Sequence, residues 1–153
     1  MLLMSREIKF RIYDTDEKQM FYQEDIDYID INNEIAYINQ DGGGYDYLID
    51  FVYGDGKLMQ YTGLKDKNGK EIYEGDILRC KCLKKCKLDS CAEKVIQYKN
   101  SIIEWWESGC NLGYRLRDSK GKTMMIKPTH LRTMEVEVIG NIYENPELLE
   151  GER

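Results

Sequence analysis

Four cysteines crowd one short stretch, Cys80-x-Cys82-x3-Cys86-x4-Cys91. Zinc sites need three or four soft ligands converging tetrahedrally, with Zn–S near ~2.3 Å. The two longer gaps suit loops between such ligands, and Lys81, Lys84, Lys85 and Lys87 would favour thiolates. Two features stand against a metal. No C-x2-C pair is present, and Cys80 and Cys82, on a strand, are expected on opposite faces. The stretch is therefore read as a mobile basic insert with incidental thiols, dispensable for folding, and no cofactor is expected. Cys110, between Gly109 and Asn111, falls in a predicted loop as a further ligand or a packed thiol.

Other catalytic patterns are weaker still. His130 is the only histidine, so a Ser–His or Cys–His pair would have to use it. It follows Lys127-Pro128-Thr129 in a predicted loop and is read as a surface or hydrogen-bonded residue. Asp41-Gly42-Gly43-Gly44-Tyr45 lacks the Gly-Lys-Ser/Thr that completes a phosphate loop. Asp14-Thr15-Asp16 fails the calcium-loop pattern at Lys18. Glu135 and Glu137 share a strand face, but pairs of acids are common in so acidic a chain. No enzyme is expected.

Charge is strongly segregated. Residues 1–55 carry 4 basic and 13 acidic groups, residues 56–132 carry 17 and 9, and residues 133–153 carry 1 and 6. The plainest reading is that these blocks compensate one another within the fold or between subunits. The alternative is that the basic middle touches nucleic acid. Its residues would be Lys84, Lys85 and Lys87 in the insert, with Lys99, Arg115 and Arg117 near Trp105 and Trp106. On a strand the two tryptophans face opposite ways, one expected in the core and one partly exposed. An exposed tryptophan beside arginines could stack on a base or lie in a subunit interface.

The 153 residues suffice for a real core. No apolar run approaches the ~20 residues that span a bilayer, and Met1-Leu2-Leu3-Met4 is too short for a signal-peptide core. No membrane partner is expected, and the protein is placed in the cytosol of the cell that makes it. An odd count of cysteines suits a reducing compartment.

Abundant tyrosine and glycine with scarce proline favour strands and turns. Ile8, Phe10 and Ile12 line one face of a first strand, followed by a polar turn over Asp14–Gln19. Strands are expected over Met20–Ile26, Tyr28–Ile31 and Ile35–Ile38, with Asn32-Asn33-Glu34 turning between the last two. Gln40–Gly44 is the strongest break. Tyr45–Tyr53 reads as strand or short helix. A soft boundary near Gly54–Gly56 separates residues 1–55 from 56–153. Further strands follow over Met59–Thr62, Ile72–Cys80, Val95–Tyr98, Ile102–Trp106, Tyr114–Arg117, Thr123–Ile126 and Glu135–Ile142. Val95–Trp106 is two strands or one bent one. Asn145-Pro146 opens a short C-terminal helix that docks Leu148 and Leu149.

The segment Leu58–Leu78 is the most patterned. Leu58, Gln60 and Thr62 alternate with Met59, Tyr61 and Gly63 as a strand does. Lys65–Lys70 ends in a tight turn at Asn68-Gly69. Gly75 suits a conformation closed to other residues, and Asp76 can accept a backbone N–H at the bend. With Glu7–Asp14 and Glu137–Leu149, this segment resembles the YopX family, small proteins of phages and prophages of Gram-positive bacteria. The resemblance runs from about Arg6 to Leu149 and departs between Cys80 and Cys91. It implies a mainly β fold. The expected architecture is a small SH3-like barrel in the C-terminal two-thirds, a smaller β-rich N-terminal part and a short C-terminal helix. The family has no established activity. The expected role is a non-enzymatic accessory protein that binds itself, as a homo-oligomer, or a host or phage macromolecule.

Overall fold

The computed structural model describes residues 7–39, 47–85 and 94–150, apart from the side chains of Tyr47, Lys84 and Lys85. The chain is mainly β and forms two compact units, Met1–Gly63 and Leu64–Arg153.

The first unit holds β1 (Phe10–Asp14), β2 (Gln19–Phe21), β3 (Ile26–Asp30), β4 (Ile35–Ile38), β5 (Tyr47–Asp50) and most of β6 (Gly56–Lys65). Strands β2, β1 and β6 pair antiparallel, as do β3, β4 and β5. Ile12, Phe21, Ile26, Ala36, Ile38 and Ile49 form the core. Burying such side chains contributes roughly 1.5–3 kcal/mol each.

The acidity of this unit has a structural use, because aspartates end its strands and hold its turns. Asp14 Oδ1 accepts the N–H groups of Asp16 and Glu17. Asp30 Oδ1 accepts those of Asn32 and Asn33. Asp50 Oδ1 accepts those of Val52, Tyr53 and Gly54 at 2.8–3.1 Å.

Two expectations shift here and one open choice is resolved. Ile8 precedes β1 and is exposed. The strand expected over Met20–Ile26 stops at Phe21, where Tyr22 and Asp25 close a turn: the Tyr22 N–H meets Asp25 Oδ2 at 2.9 Å. The Tyr45–Tyr53 segment contains a strand, β5. The Gln40–Gly44 break lies outside the described residues.

The second unit adds β7 (Glu71–Tyr73), β8 (Asp76–Lys85), β9 (Lys94–Ser108), β10 (Asn111–Asp118), β11 (Thr123–Met125), α1 (Pro128–Thr133), β12 (Glu137–Asn141) and a 3-10 turn, Pro146–Leu149. Five strands form one antiparallel sheet in the order β11-β10-β9-β8-β12. Its up-and-down path is consistent with a small SH3-like barrel. One face supplies the core: Leu78, Cys80, Ile103, Leu116, Val136 and Val138, joined by Ile72. Strand β9 is one continuous strand of 15 residues, not two.

The patterned segment closes this unit onto itself. Gly69 and Gly75 have φ of +83° and +78°, values that strain any residue with a Cβ. The Tyr73 N–H donates to Asp76 Oδ2 at 2.8 Å, as expected of the bend. Asp66 is nearly buried. Its Oδ1 accepts the N–H groups of Asn68 and Lys70, and its Oδ2 accepts that of Val138 at 3.0 Å. One carboxylate thus shapes the turn between β6 and β7 and ties it to β12, far away in sequence.

The C-terminal motif is likewise steric. A Cβ at Gly140 would lie 2.5 Å from Asn145 Oδ1, so only glycine admits the returning chain. Leu148 and Leu149 are half-buried, and the Leu148 carbonyl accepts from Asn100 Nδ2 at 2.8 Å. Asn145 makes no side-chain cap. Instead it accepts the Asn141 N–H at 3.4 Å. The loop expected at Lys127–His130 instead caps and opens α1, whose Leu131 packs on the core.

Gly75→Ala is expected to lower stability by about 1 kcal/mol or more in urea unfolding; an unchanged midpoint would show that φ at residue 75 is not constrained. Asp66→Ala is expected to cost roughly 1–3 kcal/mol for each buried N–H left without a partner. A variant that unfolds like the parent would remove Asp66 from this role. Backbone N–H donors hold the Asp50 carboxyl below its ordinary value, those of Tyr53 and Val52 first. A carboxyl lowered by folding stabilises the fold above its unfolded value of about 4 and loses that effect as pH falls through the folded value. Parent stability should therefore drop below about pH 4, and Asp50→Asn should flatten that drop; identical acid profiles would count against it.

Candidate functional site

The cysteine stretch begins inside the sheet, and its strand runs on past Cys80, where the expected strand stopped. Strand β8 carries Cys80 and Cys82, and Cys80 belongs to the core. Residues two apart on a strand share a face, so the expectation of thiols on opposite faces does not hold. Burial, with Cys82 adding, pushes the Cys80 thiol up to about 12. Its Sγ lies 3.8 Å from the Leu78 carbonyl, packed among core side chains. Cys86, Cys91 and Lys87 lie outside the described residues. Among the described residues no group of three or more His, Cys, Asp or Glu is placed to hold a metal. Cys110 is exposed at the β9–β10 turn. His130 sits on α1, where Nδ1 accepts the Lys127 N–H at 3.2 Å.

The residues proposed for nucleic acid do not form one face. Cross-strand register puts Arg115 and Arg117 with Glu104, on the side opposite Lys99. Glu104 holds both arginines: Arg115 Nη2 lies 2.7 Å and Arg117 Nε 3.1 Å from its oxygens. Lys99 pairs with Asp118 at 3.6 Å. Lys84 and Lys85 are on β8, with side chains outside the description. Charge compensation inside the unit therefore accounts for the three describable cations.

Neither tryptophan is core, contrary to expectation. Trp105 is 47% exposed and meets the Tyr114 ring edge-on at 5.2 Å. Trp106 is half-buried under the Arg115 guanidinium at 5.1 Å. The reason is length. The pairing of β8 with β9 stops at Ile102, so both tryptophans lie on a two-stranded extension of β9 and β10.

A second extension at the other end of β9 went unnoticed in the sequence. Pairing of β12 with β8 ends at Arg79, and pairing of β10 with β9 ends at Ser101. Beyond them β8 and β9 continue as a ribbon, in which Lys81, Leu83 and Lys85 stand opposite Tyr98, Ile96 and Lys94. Leu83 is 61%, Ile96 53% and Tyr98 45% exposed. Arg79 lies over the Tyr98 ring at 4.6 Å, and Lys81 pairs with Glu135. The signal was present as alternation: Arg79, Lys81 and Leu83 share a face opposite to buried Cys80. The charge of the stretch obscured it.

On the first unit, Tyr28, Tyr37 and Leu48 stand opposite one another across β3, β4 and β5. The two tyrosine rings stack at 4.1 Å. Tyr28 is 43% and Leu48 54% exposed, on the side away from core residues Ala36 and Ile49.

Two of the recesses among the described residues carry titratable groups. One, of about 310 Å³, is lined by Asp14, Asp16, Glu17, Asp50 and Asp55. The hydrogen bond between Asp16 and Asp55 pushes the Asp16 carboxyl up. The other, of about 140 Å³, is lined by Cys80, Cys82, Lys99, Asp118, Met124 and Met134, among others. Burial would raise the Asp118 carboxyl, but N–H donors from Lys122 and Lys120, with Lys99, outweigh it and hold it low.

The fold is shared. The chain is similar to the crystal structure of protein EF1440 from Enterococcus faecalis, with a TM-score of 0.61 and 26% identity over 95% of this chain and 99% of that one. No curated protein matches the chain. The model of the YopX family, described as YopX protein, matches residues 9–150. A match over nearly the whole chain settles its kinship: the protein belongs to the YopX family.

Proposed function

We propose that this protein is a non-enzymatic binding module that works through exposed sheet faces, as an accessory protein of a phage or prophage in the bacterial cytosol. One observation carries the reading. The β8–β9 ribbon runs past its neighbouring strands and offers Leu83, Ile96 and Tyr98 to solvent on one face. Paired, rigid strands that expose adjacent large apolar side chains are suited to contact with another macromolecule. The carboxylates fit a structural role: most of those described at strand ends accept backbone N–H groups of turns. Arg79 and Tyr98, both exposed and in contact with each other, add residue types that interfaces favour.

A second reading, nucleic-acid binding, draws on the lysines of the ribbon and on Trp105. It is weakened by the pairing of Arg115 and Arg117 with Glu104.

The two readings separate in a paired experiment. Cross-linked pull-downs from bacterial lysate with the parent and with a Leu83→Ser/Ile96→Ser variant should differ in one or a few retained macromolecules, lost by the variant. Identical retention would contradict the ribbon as the contact surface. Gel shifts with single- and double-stranded DNA should show weak binding at most, falling steeply with salt as phosphate contacts release counterions. Tight, salt-resistant binding would contradict the proposal.

A further inference from the structure

Two faces of this chain carry the same pattern with opposite charge. On the ribbon, the apolar row Leu83–Ile96 lies next to the row Lys85–Lys94. On the first unit, the apolar row Tyr28–Tyr37–Leu48 lies next to the row Asp30–Ile35–Asp50. In each case the rows are two residues apart along the strands, about 6.6 Å. An apolar row laid on an apolar row therefore brings the Lys94 end of the ribbon over an aspartate row. Both aspartates are held ionised by N–H donors of their turns. Both faces are antiparallel sheet, and two such faces pack about 10 Å apart with side chains interdigitating.

We infer that the ribbon of one copy docks on the Tyr28–Tyr37–Leu48 face of a second copy. This rests on the binding-module reading above and names the partner as a second copy of this chain. The occupant follows from charge. The aspartate-flanked face needs a basic apolar sheet, the ribbon needs an acidic one, and each copy carries both. The segregation of basic and acidic blocks along the sequence is the same complementarity seen before folding. Because the two surfaces differ and each copy carries both, the contact closes either as a reciprocal two-fold pair, each ribbon on the other copy's face, or as a larger ring or chain of copies.

Two exposed substitutions test it on the full chain. Leu83→Glu disables the ribbon and leaves the tyrosine face intact. Leu48→Lys does the reverse. Neither side chain is part of a core, and thermal melts that match the parent verify folding. In sedimentation velocity the parent should run as species larger than a monomer, and each variant alone as a monomer. An equimolar mixture of the two should form a 1:1 dimer, since one intact ribbon then meets one intact face and neither product can extend.

A mixture that stays monomeric overturns the inference. So does a parent oligomer that neither substitution breaks, which would keep self-association and reject this pairing of faces. A monomeric parent also overturns it, while the pull-down comparison would still decide whether the ribbon binds a foreign partner.

Discussion

The Asp66 carboxylate is the point on which the second unit depends. A five-stranded sheet whose last strand, β12, returns beside β8 must fix that strand in register, and β12 reaches β8 only after three intervening strands and a helix. Asp66 does this from the other side of the sequence. It accepts two N–H groups of its own turn and the Val138 N–H of β12. The Lys67 N–H donates to the Val136 carbonyl at 2.9 Å, and Lys67 Nζ meets Glu137 at 2.7 Å, beside the same junction. With Val136 and Val138 so anchored, their side chains complete the core over Leu78 and Cys80. Gly75 adds a second tie, donating to the Ile103 carbonyl and accepting the Ile142 N–H.

Much of this was legible. Asn68-Gly69, Gly75-Asp76 and the alternation before them each imply one backbone conformation, and the structure adopts it. The strands of the first unit were readable where turns are marked by Asp and Asn, and misread at Tyr22–Asp25, where apolar residues flank a turn closed by a side chain. α1 was hidden because six residues give no period; its stability comes from Leu131 and Met134 against the core. Long-range partners were beyond reach. Nothing near Asp66 in sequence announces Val138, and nothing near Trp105 announces that its neighbour strand stops short.

The candidate site was the least legible part, for a physical reason. Cys80 to Lys85 looks like a loop by composition. Lysines tolerate a ribbon because their charged ends remain in water while their stems cover sheet. Pairing with β9 then decides the conformation. Three of the cations that suggested nucleic acid are paired locally, with Glu104 across two arginines and Asp118 beside Lys99. The family signature is thus a structural closure, and the exposed apolar row of the ribbon lies on strands that extend past it.

Residue-resolved native-state hydrogen exchange tests this account most directly. The amides of Asn68, Lys70 and Val138 should exchange together, as slowly as the β8–β9 core amides, because one carboxylate holds all three and releases them only when the unit opens. Fast exchange at Asn68 and Lys70 with slow exchange at Val138 would show a surface turn independent of β12, and would contradict the claim that Asp66 closes the fold.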